Sequence, residues 1–399
     1  MRNIKLLNRI ADQGLKAFDP ERYAVSTDAQ APEGILVRSA DLHQMEFGPE
    51  MLAIARAGAG VNNIPLARCT QQGIAVFNTP GGNANSVKEL TVLALLLSAR
   101  NVIGGVRWAE GLAGTDDIEK QVEAGKGAFA GTEIQNRTLG VIGLGAVGGL
   151  VANIGHEMGM NVIGCDPFLS VDSAWGISRS VHRAASFQDV FGAVDYLTLH
   201  VPSTNDTRGM INAHALSRMR DGIRIINLAR ADLVVPEDLI AALDSGKVAA
   251  YITDFPTREL LGHKNVISIP HLGASTEEAE DNCAVMAAHE LMDYLENGNI
   301  RNSVNLPNAS MATSGDARVC IIHANAPNML AAFTDALGDA GINIENLLNR
   351  SRGDIAYTIF EIGGTVGHPV LQRLRAIEGV VRVRLIEAWG RACDLPGFR

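Results

Sequence analysis

The chain has 399 residues, of which 47% are hydrophobic and 20% are charged, and its formal net charge at pH 7 is -10. This length exceeds one ordinary hydrophobic core, so a soluble globular protein of two or three domains is expected. The negative charge argues against nucleic acid and membranes as partners, because both polyanionic surfaces would repel the chain.

The cysteines and the apolar stretches indicate a cytoplasmic protein. The sequence contains five scattered cysteines and no CxxC pair: Cys69, Cys165, Cys283, Cys320 and Cys393. An odd, dispersed set is typical of reduced, mostly buried thiols and offers no metal site. Residues 1–30 lack an apolar core of signal-peptide length, and no uninterrupted apolar stretch is long enough to span a membrane.

The first hundred residues alternate short apolar runs with polar, helix-like segments. The apolar runs are Ile4 to Leu7, Gly34 to Val37, Leu52 to Arg56 and Ile74 to Phe77. This rhythm predicts a small parallel α/β unit. Arg38 and Arg56 stand at strand ends, and each guanidinium has the planar fork that binds a carboxylate or phosphate. For either arginine alone, a surface salt bridge is the more common role.

A turn-rich loop, residues 78–85, separates this unit from a helix. Ser86 is placed to cap that helix, with Glu89 at the third helical position, and the apolar pattern runs to about Ala99. We expect this helix to link the first unit to the next.

The stretch Val141 to Gly148, VIGLGAVG, organises the middle of the chain. An apolar run leads into three glycines, an apparent helix continues through about Met158, and a second apolar run, Asn161 to Cys165, ends at Asp166. A strand, a glycine turn, a helix and a second strand ending in an acid form the pattern of a dinucleotide-binding βαβ unit.

Each residue of this pattern has a distinct expected role. Gly143 lets the chain turn, Gly145 leaves room for a pyrophosphate, and Gly148 allows close packing of the helix. Asp166 is expected to bind ribose hydroxyls and to repel a 2′-phosphate, which favours NAD over NADP. The alternative is a glycine-rich turn that binds no ligand.

Further strands follow, with polar residues at their ends. The predicted strands are Tyr196 to Leu199, Ile223 to Leu228, Val248 to Thr253 and Val266 to Ile269, with a helix at Pro236 to Asp244. The residues after strands are Asp166, His200, Arg230, Asp254 and His271. Ligands of an open parallel sheet collect at the carboxyl ends of its strands.

Three of the residues in this region form a candidate acid–base set. Hydride exchange between a secondary alcohol and nicotinamide needs a base and a cation that polarises the developing carbonyl. His271 suits the base, because histidine ordinarily titrates near neutrality, and Arg230 suits the cation. Glu259 is expected to hold the imidazole and favour its protonated form. A structural, hydrogen-bonded histidine is the alternative.

After the loop Arg301 to Gly315, the pattern predicts a βαββαβ unit. Its elements are strand Arg318 to His323, helix Pro327 to Gly341, strands Ile344 to Arg350 and Ile355 to Ile362, helix Pro369 to Ile377 and strand Val380 to Leu385. Nothing in this unit resembles a catalytic site.

The glycine pattern, INLAR, DFPTRE and PHLGAS, in that order, resemble the D-2-hydroxyacid dehydrogenases over residues 1 to about 305. RAGAGVNN, NTPGGN and the C-terminal extension resemble the branch of this family that oxidises D-3-phosphoglycerate with NAD in serine biosynthesis. The resemblance implies two Rossmann-like parallel-sheet domains and a homo-oligomer, a dimer or tetramer. The implied substrate domain is 1–97 with 279–308, the NAD domain is 98–278, and a second connecting helix lies near Thr276 to Asn297.

The resemblance also assigns site residues. The implied catalytic set is Arg230, Glu259 and His271, and the substrate contacts are Arg38, Ser39, Arg56, Arg230 and His271. The implied cofactor contacts are Thr79, Gly143, Gly145, Ala146, Val147, Gly148, Asp166, His200, Leu228, Asp254, Gly273 and Ala274, with Asp254 beside the nicotinamide. Many relatives have Glu-Pro and a longer loop before the histidine, whereas here Leu260 follows Glu259 and His271 comes soon after.

Residues 316–399 are similar to an ACT domain, a small amino-acid-sensing module that commonly pairs between subunits. His323, Asn325 and Asn343 fall on positions that bind serine in regulated relatives, and Asn328 replaces a glycine usual in that turn. The alternative is a domain that only assembles subunits. For the whole chain, the alternatives are a dehydrogenase of another D-2-hydroxyacid and a non-enzymatic NAD(H)-sensing regulator.

Overall fold

A computed structural model describes residues 1–387, so Cys393 and the end of the predicted 316–399 domain lie outside the described residues. The chain divides into two compact units. Unit 1 joins Met1–Gly82 to the chain from Glu280 onward, and unit 2 is Asn83–Ala279. The finer, three-domain division stays a prediction.

Unit 1 begins with a five-stranded parallel sheet in the order β2-β1-β3-β4-β5. Its strands are β1 (Arg2–Leu7), β2 (Tyr23–Ser26), β3 (Gly34–Val37), β4 (Ala53–Arg56) and β5 (Ala75–Phe77), and its helices are α1 (Asp12–Leu15) and α2 (Leu66–Gln71). Neighbouring residues such as Ile35 and Leu36 face two separate cores, as the alternation of a strand requires. The predicted parallel unit is present, and it gains β2, an edge strand of four residues.

Unit 2 is a seven-stranded parallel sheet in the order β12-β11-β10-β9-β6-β7-β8. Its strands are β6 (Thr138–Ile142), β7 (Asn161–Cys165), β8 (His182–Arg183), β9 (Tyr196–Leu199), β10 (Ile223–Asn227), β11 (Val248–Thr253) and β12 (Val266–Ser268). Its α-helices are α3 (Ala84–Ala99), α4 (Val102–Glu110), α5 (Ile118–Gly125), α6 (Ala146–Glu157), α7 (Val171–Trp175), α8 (Phe187–Ala193), α9 (Ala213–Arg218) and α10 (Pro236–Asp244), with 3₁₀ turns at Lys126–Phe129 and Ala231–Leu233.

This second sheet is doubly wound. Ile226 packs in one core with α3 and α6, whereas its neighbour Ile225 packs in another with α8, α9 and α10. The strand order reverses between β6 and β9, which in such sheets opens a crevice at the carboxyl ends of the strands. The predicted α/β class is therefore confirmed.

The start of α3 differs from the prediction. The helix begins at Ala84 after Asn83, so the predicted cap by Ser86 is wrong. Ser86 is buried inside the first turn, and its hydroxyl donates to the carbonyl of Gly273 at 2.8 Å. Among residues 1–387, no single helix is long and apolar enough to cross a membrane, although α3 and α4, bent by 72°, pass that test as a pair on length and composition alone.

Unit 1 ends in a four-stranded antiparallel sheet in the order β14-β15-β13-β16. The last helices and strands are α11 (Glu277–Asn297), β13 (Ala317–Ala324), α12 (Met329–Gly338), β14 (Ile344–Arg352), β15 (Ile355–Ile362), α13 (His368–Arg375) and β16 (Val380–Glu387). The predicted βαββαβ order is present. The four described cysteines are free and buried: Cys69, Cys165, Cys283 and Cys320.

Both faces of this C-terminal sheet are covered. One face packs on α12 and α13, and the other shares a core with α11, where Ile322 and Ile359 join Leu291 and Leu295. The Tyr357 hydroxyl donates to the Gly298 carbonyl at 2.7 Å just beyond α11. The sheet is therefore an integral part of unit 1.

A buried ion pair reinforces this junction. The Arg318 and Glu361 side chains are in direct contact and are 2% and 0% exposed. Arg318 also donates to the carbonyl of Asn297 and, at 2.9 Å, to that of Met311. Glu361 accepts from the Gly315 backbone at 2.7 Å. The pair thus joins the C-terminal sheet to the end of α11 and to the segment that follows.

A second buried carboxyl predicts a pH-dependent stability. Glu290 on α11 is 7% exposed; Oε1 accepts from the Asn302 amide at 2.6 Å, and Oε2 has no partner within residues 1–387. Burial raises the pKa of Glu290 to about 8. At pH values between the ordinary pKa of a glutamate and about 8, Glu290 keeps its proton in the folded chain but has lost it in the unfolded chain. The free energy of unfolding therefore falls as pH rises through this range.

Glu290→Gln should remove this pH dependence of the free energy of unfolding, whose slope is at most about 1.4 kcal/mol per pH unit. Urea unfolding of both proteins at several values between pH 5 and about 8.5 measures it. A constant difference between them across this range contradicts the assignment.

Candidate active site and cofactor site

The glycine loop after β6 has the expected geometry. Gly143 has φ of 87°, and a Cβ there would lie 2.5 Å from the His200 carbonyl oxygen. At Gly148 a Cβ would lie 1.8 Å from the Gly143 oxygen, so any side chain would push α6 away from the loop. A Cβ at Gly145 meets nothing within 4 Å. The loop therefore leaves open space at the position where the sequence predicts a pyrophosphate.

The N-terminus of α6 adds donors and a positive dipole end to this space. No side chain among residues 1–387 caps the helix, whose first residues are Ala146 and Val147, so its first N–H groups remain available to an anion. Asp166, after β7, accepts from the Leu144 backbone N–H at 2.9 Å and from that of Phe168 at 2.9 Å. Its carboxylate thus lies against the glycine loop, where a ribose would approach.

His200 follows β9 on the other side of the loop. Its Nε2 lies 2.9 Å from the Thr198 hydroxyl, and burial lowers the pKa of His200 to about 4. The ring is therefore neutral at physiological pH. His200 therefore lies next to Gly143 and Gly148 without adding charge to the loop.

Three polar residues meet at the ends of β10, β11 and β12. Asp254 is 1% exposed; its Oδ2 accepts from the Gly273 N–H at 3.3 Å, and its Oδ1 makes no hydrogen bond within residues 1–387. Burial raises the pKa of Asp254, and the charges of His271 and Arg230 oppose that rise. Asp254 therefore lies within electrostatic range of both His271 and Arg230.

The imidazole of His271 is exposed, and its ring lies 4.8 Å from that of Phe255. Arg230 is also exposed and is held by the buried Asn227, whose amide donates to the Arg230 carbonyl at 2.8 Å. An accessible base, an accessible cation and a buried carboxyl are the parts needed to move a proton and polarise a carbonyl.

Glu259 stands apart from this group. It is exposed, and its own backbone N–H is the main influence that lowers the pKa of its carboxyl. No hydrogen bond or ion pair joins it to His271 within residues 1–387. The predicted role of Glu259 as the acid that holds the imidazole stays a prediction.

Two residues that position the site were not predicted from the sequence. Ser86 fixes the Gly273 carbonyl, two residues from His271, although its capping position suggested another role. Asn227 fixes the turn that carries Arg230, also through its Oδ1, which accepts from the Arg230 N–H at 3.3 Å. A polar residue at the buried end of a strand is the signal that identifies Asn227, since buried amides need partners.

Of the remaining predicted cofactor residues, Leu228, Gly273 and Ala274 belong to unit 2, and Thr79 belongs to unit 1. Leu228 is buried after β10, and Ala274 is half-buried next to the buried Gly273. Thr79 is fully buried after β5 of unit 1.

The predicted substrate residues of unit 1 follow β3 and β4. Arg38 forms a 2.6 Å ion pair with Glu280, and both side chains are 40% exposed. The Nε of Arg56 donates to the Arg38 carbonyl at 3.0 Å, and its guanidinium lies over Gly58, where a Cβ would be 2.3 Å away. Ser39 donates its backbone N–H to Asn8 at 3.0 Å. This corner therefore carries two guanidinium groups and a glycine turn that accommodates one of them.

The predicted effector residues lie at two ends of the C-terminal sheet. His323 is 2% exposed, with its ring nitrogens 2.8 Å from the Ala324 carbonyl and the Thr358 hydroxyl, and burial lowers its pKa. Asn325 adjoins the start of β15 through Asp354, whereas Asn343 adjoins its end through Gly363. Eight residues of strand separate these ends by about 24 Å. One chain therefore cannot place both asparagines on one amino acid.

Asn328 has φ of 65°, in the left-handed region. Asparagine tolerates this region better than most residues, so it takes the conformation that a glycine would supply.

Comparisons with known proteins agree with this geometry. The family described as D-isomer specific 2-hydroxyacid dehydrogenase, NAD binding domain, matches residues 109–273. D-3-phosphoglycerate dehydrogenase of Synechocystis is 35% identical over 66% of this chain and 46% of its own length. The Archaeoglobus fulgidus enzyme of that name is 35% identical over 69% of this chain and 52% of its own length. This chain thus spans about half the length of these relatives.

Other similarities extend further along the chain. D-3-phosphoglycerate dehydrogenase 2 of Saccharomyces cerevisiae is 29% identical over 96% of this chain and 87% of its own length. The NAD⁺-bound structure of 3-phosphoglycerate dehydrogenase from Entamoeba histolytica has a TM-score of 0.60 at 25% identity, covering 76% of this chain and 98% of that one. The open space at Gly145, the uncapped α6 and the unpartnered Asp254 oxygen fit NAD. Residues 109–273 are therefore similar to the NAD-binding domain of the D-isomer specific 2-hydroxyacid dehydrogenase family.

Proposed function

We propose that the protein is an NAD-dependent D-2-hydroxyacid dehydrogenase that oxidises D-3-phosphoglycerate to 3-phosphohydroxypyruvate, a step of serine biosynthesis, in the cytoplasm. The observation that carries this proposal is the grouping of Arg230, Asp254 and His271 at the strand ends of the NAD-binding domain. The names of the Synechocystis and Archaeoglobus relatives support the substrate.

Each residue of the proposed site has its own role in the oxidation of the hydroxyacid. NAD, held by the glycine loop and the start of α6, would supply the hydride acceptor for C2 of the hydroxyacid. His271 takes the proton of the C2 hydroxyl, and Arg230 stabilises the oxygen as it becomes a carbonyl. Asp254 stabilises the imidazolium that forms, since its buried carboxyl already interacts with His271. Arg38 and Arg56 bind anionic groups of the substrate.

The direct test is a substrate screen. Purified protein is incubated with NAD and each of D-3-phosphoglycerate, D-lactate, D-glycerate and D-2-hydroxyglutarate, and NADH absorbance is followed. The highest kcat/KM is expected for D-3-phosphoglycerate. If the protein clearly prefers another of these acids, that acid is the substrate. This result corresponds to the alternative in which Arg38 and Arg56 bind a second carboxylate. No turnover of any of them favours an NAD(H)-sensing regulator.

The choice of cofactor is a separate prediction. Because the Asp166 carboxylate lies against the glycine loop, it should repel the 2′-phosphate of NADP. The wild type should therefore prefer NAD, and Asp166→Ala should narrow the preference by about tenfold or more, since a charge contact of this kind is worth at least about 1.4 kcal/mol. Equal kcat/KM for both cofactors in the wild type contradicts this role, and Glu157→Ala, at an exposed acid that ends α6, is the control.

We also propose that the C-terminal βαββαβ unit is an ACT domain that binds serine between two chains of a homo-oligomer. Its antiparallel order β14-β15-β13-β16 supports this. Since Asn325 and Asn343 of one chain are about 24 Å apart, a serine that contacts both takes Asn325 from one chain and Asn343 from another. Binding then lowers activity by favouring one arrangement of subunits.

Mixing variants tests this arrangement. Asn325→Ala and Asn343→Ala should each abolish inhibition by serine, and a co-refolded mixture of the two should recover part of it, because half-and-half oligomers contain one intact pair of asparagines. If the mixture shows no inhibition by serine, the two chains do not share a serine site. Absence of serine binding to the wild type by calorimetry leaves an assembly domain.

A further inference from the structure

A polar groove in unit 1 lies beside the edge strand β14. It encloses about 260 Å³ between β14 and residues 303–308 of the preceding segment. Arg350, Ser351 and Arg352 line one side, and Ser303 and Asn308 line the other. It shares no residue with the sites described above.

The two arginines act from the same side of the strand. They are two residues apart on β14, and alternate side chains of a strand project from one face. In the ladder they stand opposite Tyr357 and Ile355 of β15, which fixes their spacing. Arg352 is further held at the groove, because its guanidinium donates to the Ser303 carbonyl at 3.0 Å.

The charge of this pair is uncompensated within residues 1–387, where neither Arg350 nor Arg352 forms an ion pair with a carboxylate. By contrast, Arg318 pairs with Glu361 and Arg373 pairs with Asp339. Arg382 and Arg384 of β16 each donate to two backbone carbonyls. No acidic residue among residues 1–387 lines the groove. Two positive charges held together without a partner, in a chain of net charge -10, indicate a site for an anion.

We propose that this groove binds a small dianion, with the two guanidinium groups forming charge-assisted hydrogen bonds to its oxygens and the Asn308 amide donating to it. The volume of about 260 Å³ admits a compound of three or four carbons. Phosphate monoesters and dicarboxylates share the required chemistry. The segment 303–308 also contacts β5 through Ser303, whose hydroxyl donates to the Val76 carbonyl at 3.0 Å, so an occupied groove stabilises unit 1.

The test measures binding of inorganic phosphate and, separately, of malonate to the full chain by calorimetry at constant ionic strength, with saturating NADH present. The variants are Arg350→Gln, Arg352→Gln and the pair of substitutions together, and the matched control is Arg373→Gln, an exposed arginine of α13. Wild type and control should bind one more anion per chain than the double variant, or bind it at least tenfold more tightly. The anion that shows this difference identifies the source, a phosphate ester or a dicarboxylate.

Equal binding by wild type and double variant overturns the proposal, since the anion then occupies another site. An unchanged affinity combined with dissociation of the oligomer on light scattering also overturns it, because the arginines then serve an interface between chains. The Arg350 side chain makes no hydrogen bond within the described chain, so Arg350→Gln should stay folded and keeps the comparison valid if Arg352→Gln does not fold.

Discussion

Replacing His271 with Ala should lower kcat by about 10²-fold or more, the usual contribution of a general base. The side chain is exposed and contacts the Phe255 ring, so its loss should leave the fold and NADH binding intact. Activity of the wild type should fall as pH drops, because a protonated imidazole cannot accept the hydroxyl proton. Steady-state kinetics from pH 5.5 to about 9, with NADH binding by fluorescence, measure both effects.

The control is His214→Ala, an exposed histidine on α9 of the same unit, which should retain wild-type turnover. Arg230→Lys should also be poor, since a point charge does not reproduce a bidentate fork. If His271→Ala turns over near the wild-type rate, His271 is not the base.

Arg318→Met should destabilise the protein by about 3–5 kcal/mol, because Glu361 then remains buried without its partner. The two backbone carbonyls that Arg318 serves, at Asn297 and Met311, lose their donor as well. Equilibrium urea unfolding of unit 1, followed by a probe in that unit, gives the difference.

The matched control is Arg373→Met, which removes an exposed ion pair with Asp339 and should cost no more than about 1 kcal/mol. The double substitution Arg318→Met with Glu361→Leu should recover part of the loss, since no buried charge is then unpaired. Equal losses for the buried and the exposed arginine contradict the role assigned to the buried pair. The same packing predicts that a truncation near Asn308 exposes the apolar face on α11, so point variants are the safer probes of the C-terminal sheet.

Much of the fold follows from local sequence pattern. Buried parallel strands such as Asn161–Cys165 and Tyr196–Leu199 are short apolar runs bounded by polar residues, and the predicted bounds match the observed ones. Tyr23–Ser26 and His182–Arg183 escaped prediction because edge strands are stabilised by their neighbours in the sheet and carry little pattern of their own.

The residues of the candidate site could be predicted from the sequence, but the interactions among them could be predicted only in part. Arg230 and His271 follow strands of one parallel sheet, which is enough to place them at one edge. The electrostatic influence of His271 on Asp254 depends on the packing of the loop after β11, which has no periodic signal. Likewise, the separation of Asn325 from Asn343 follows from the register of β15, which local sequence does not reveal.

The interleaving of the two units has a consequence for synthesis on the ribosome. The whole of unit 2, Asn83–Ala279, has emerged before α11 and is free to fold at once. The sheet of residues 1–82 must wait for α11, because Leu36 and Phe77 share their core with Leu291 and Leu295. At about 5–20 residues per second, translation keeps these apolar side chains uncovered for ten seconds or more. This interval is when the nascent chain has the greatest need of a chaperone.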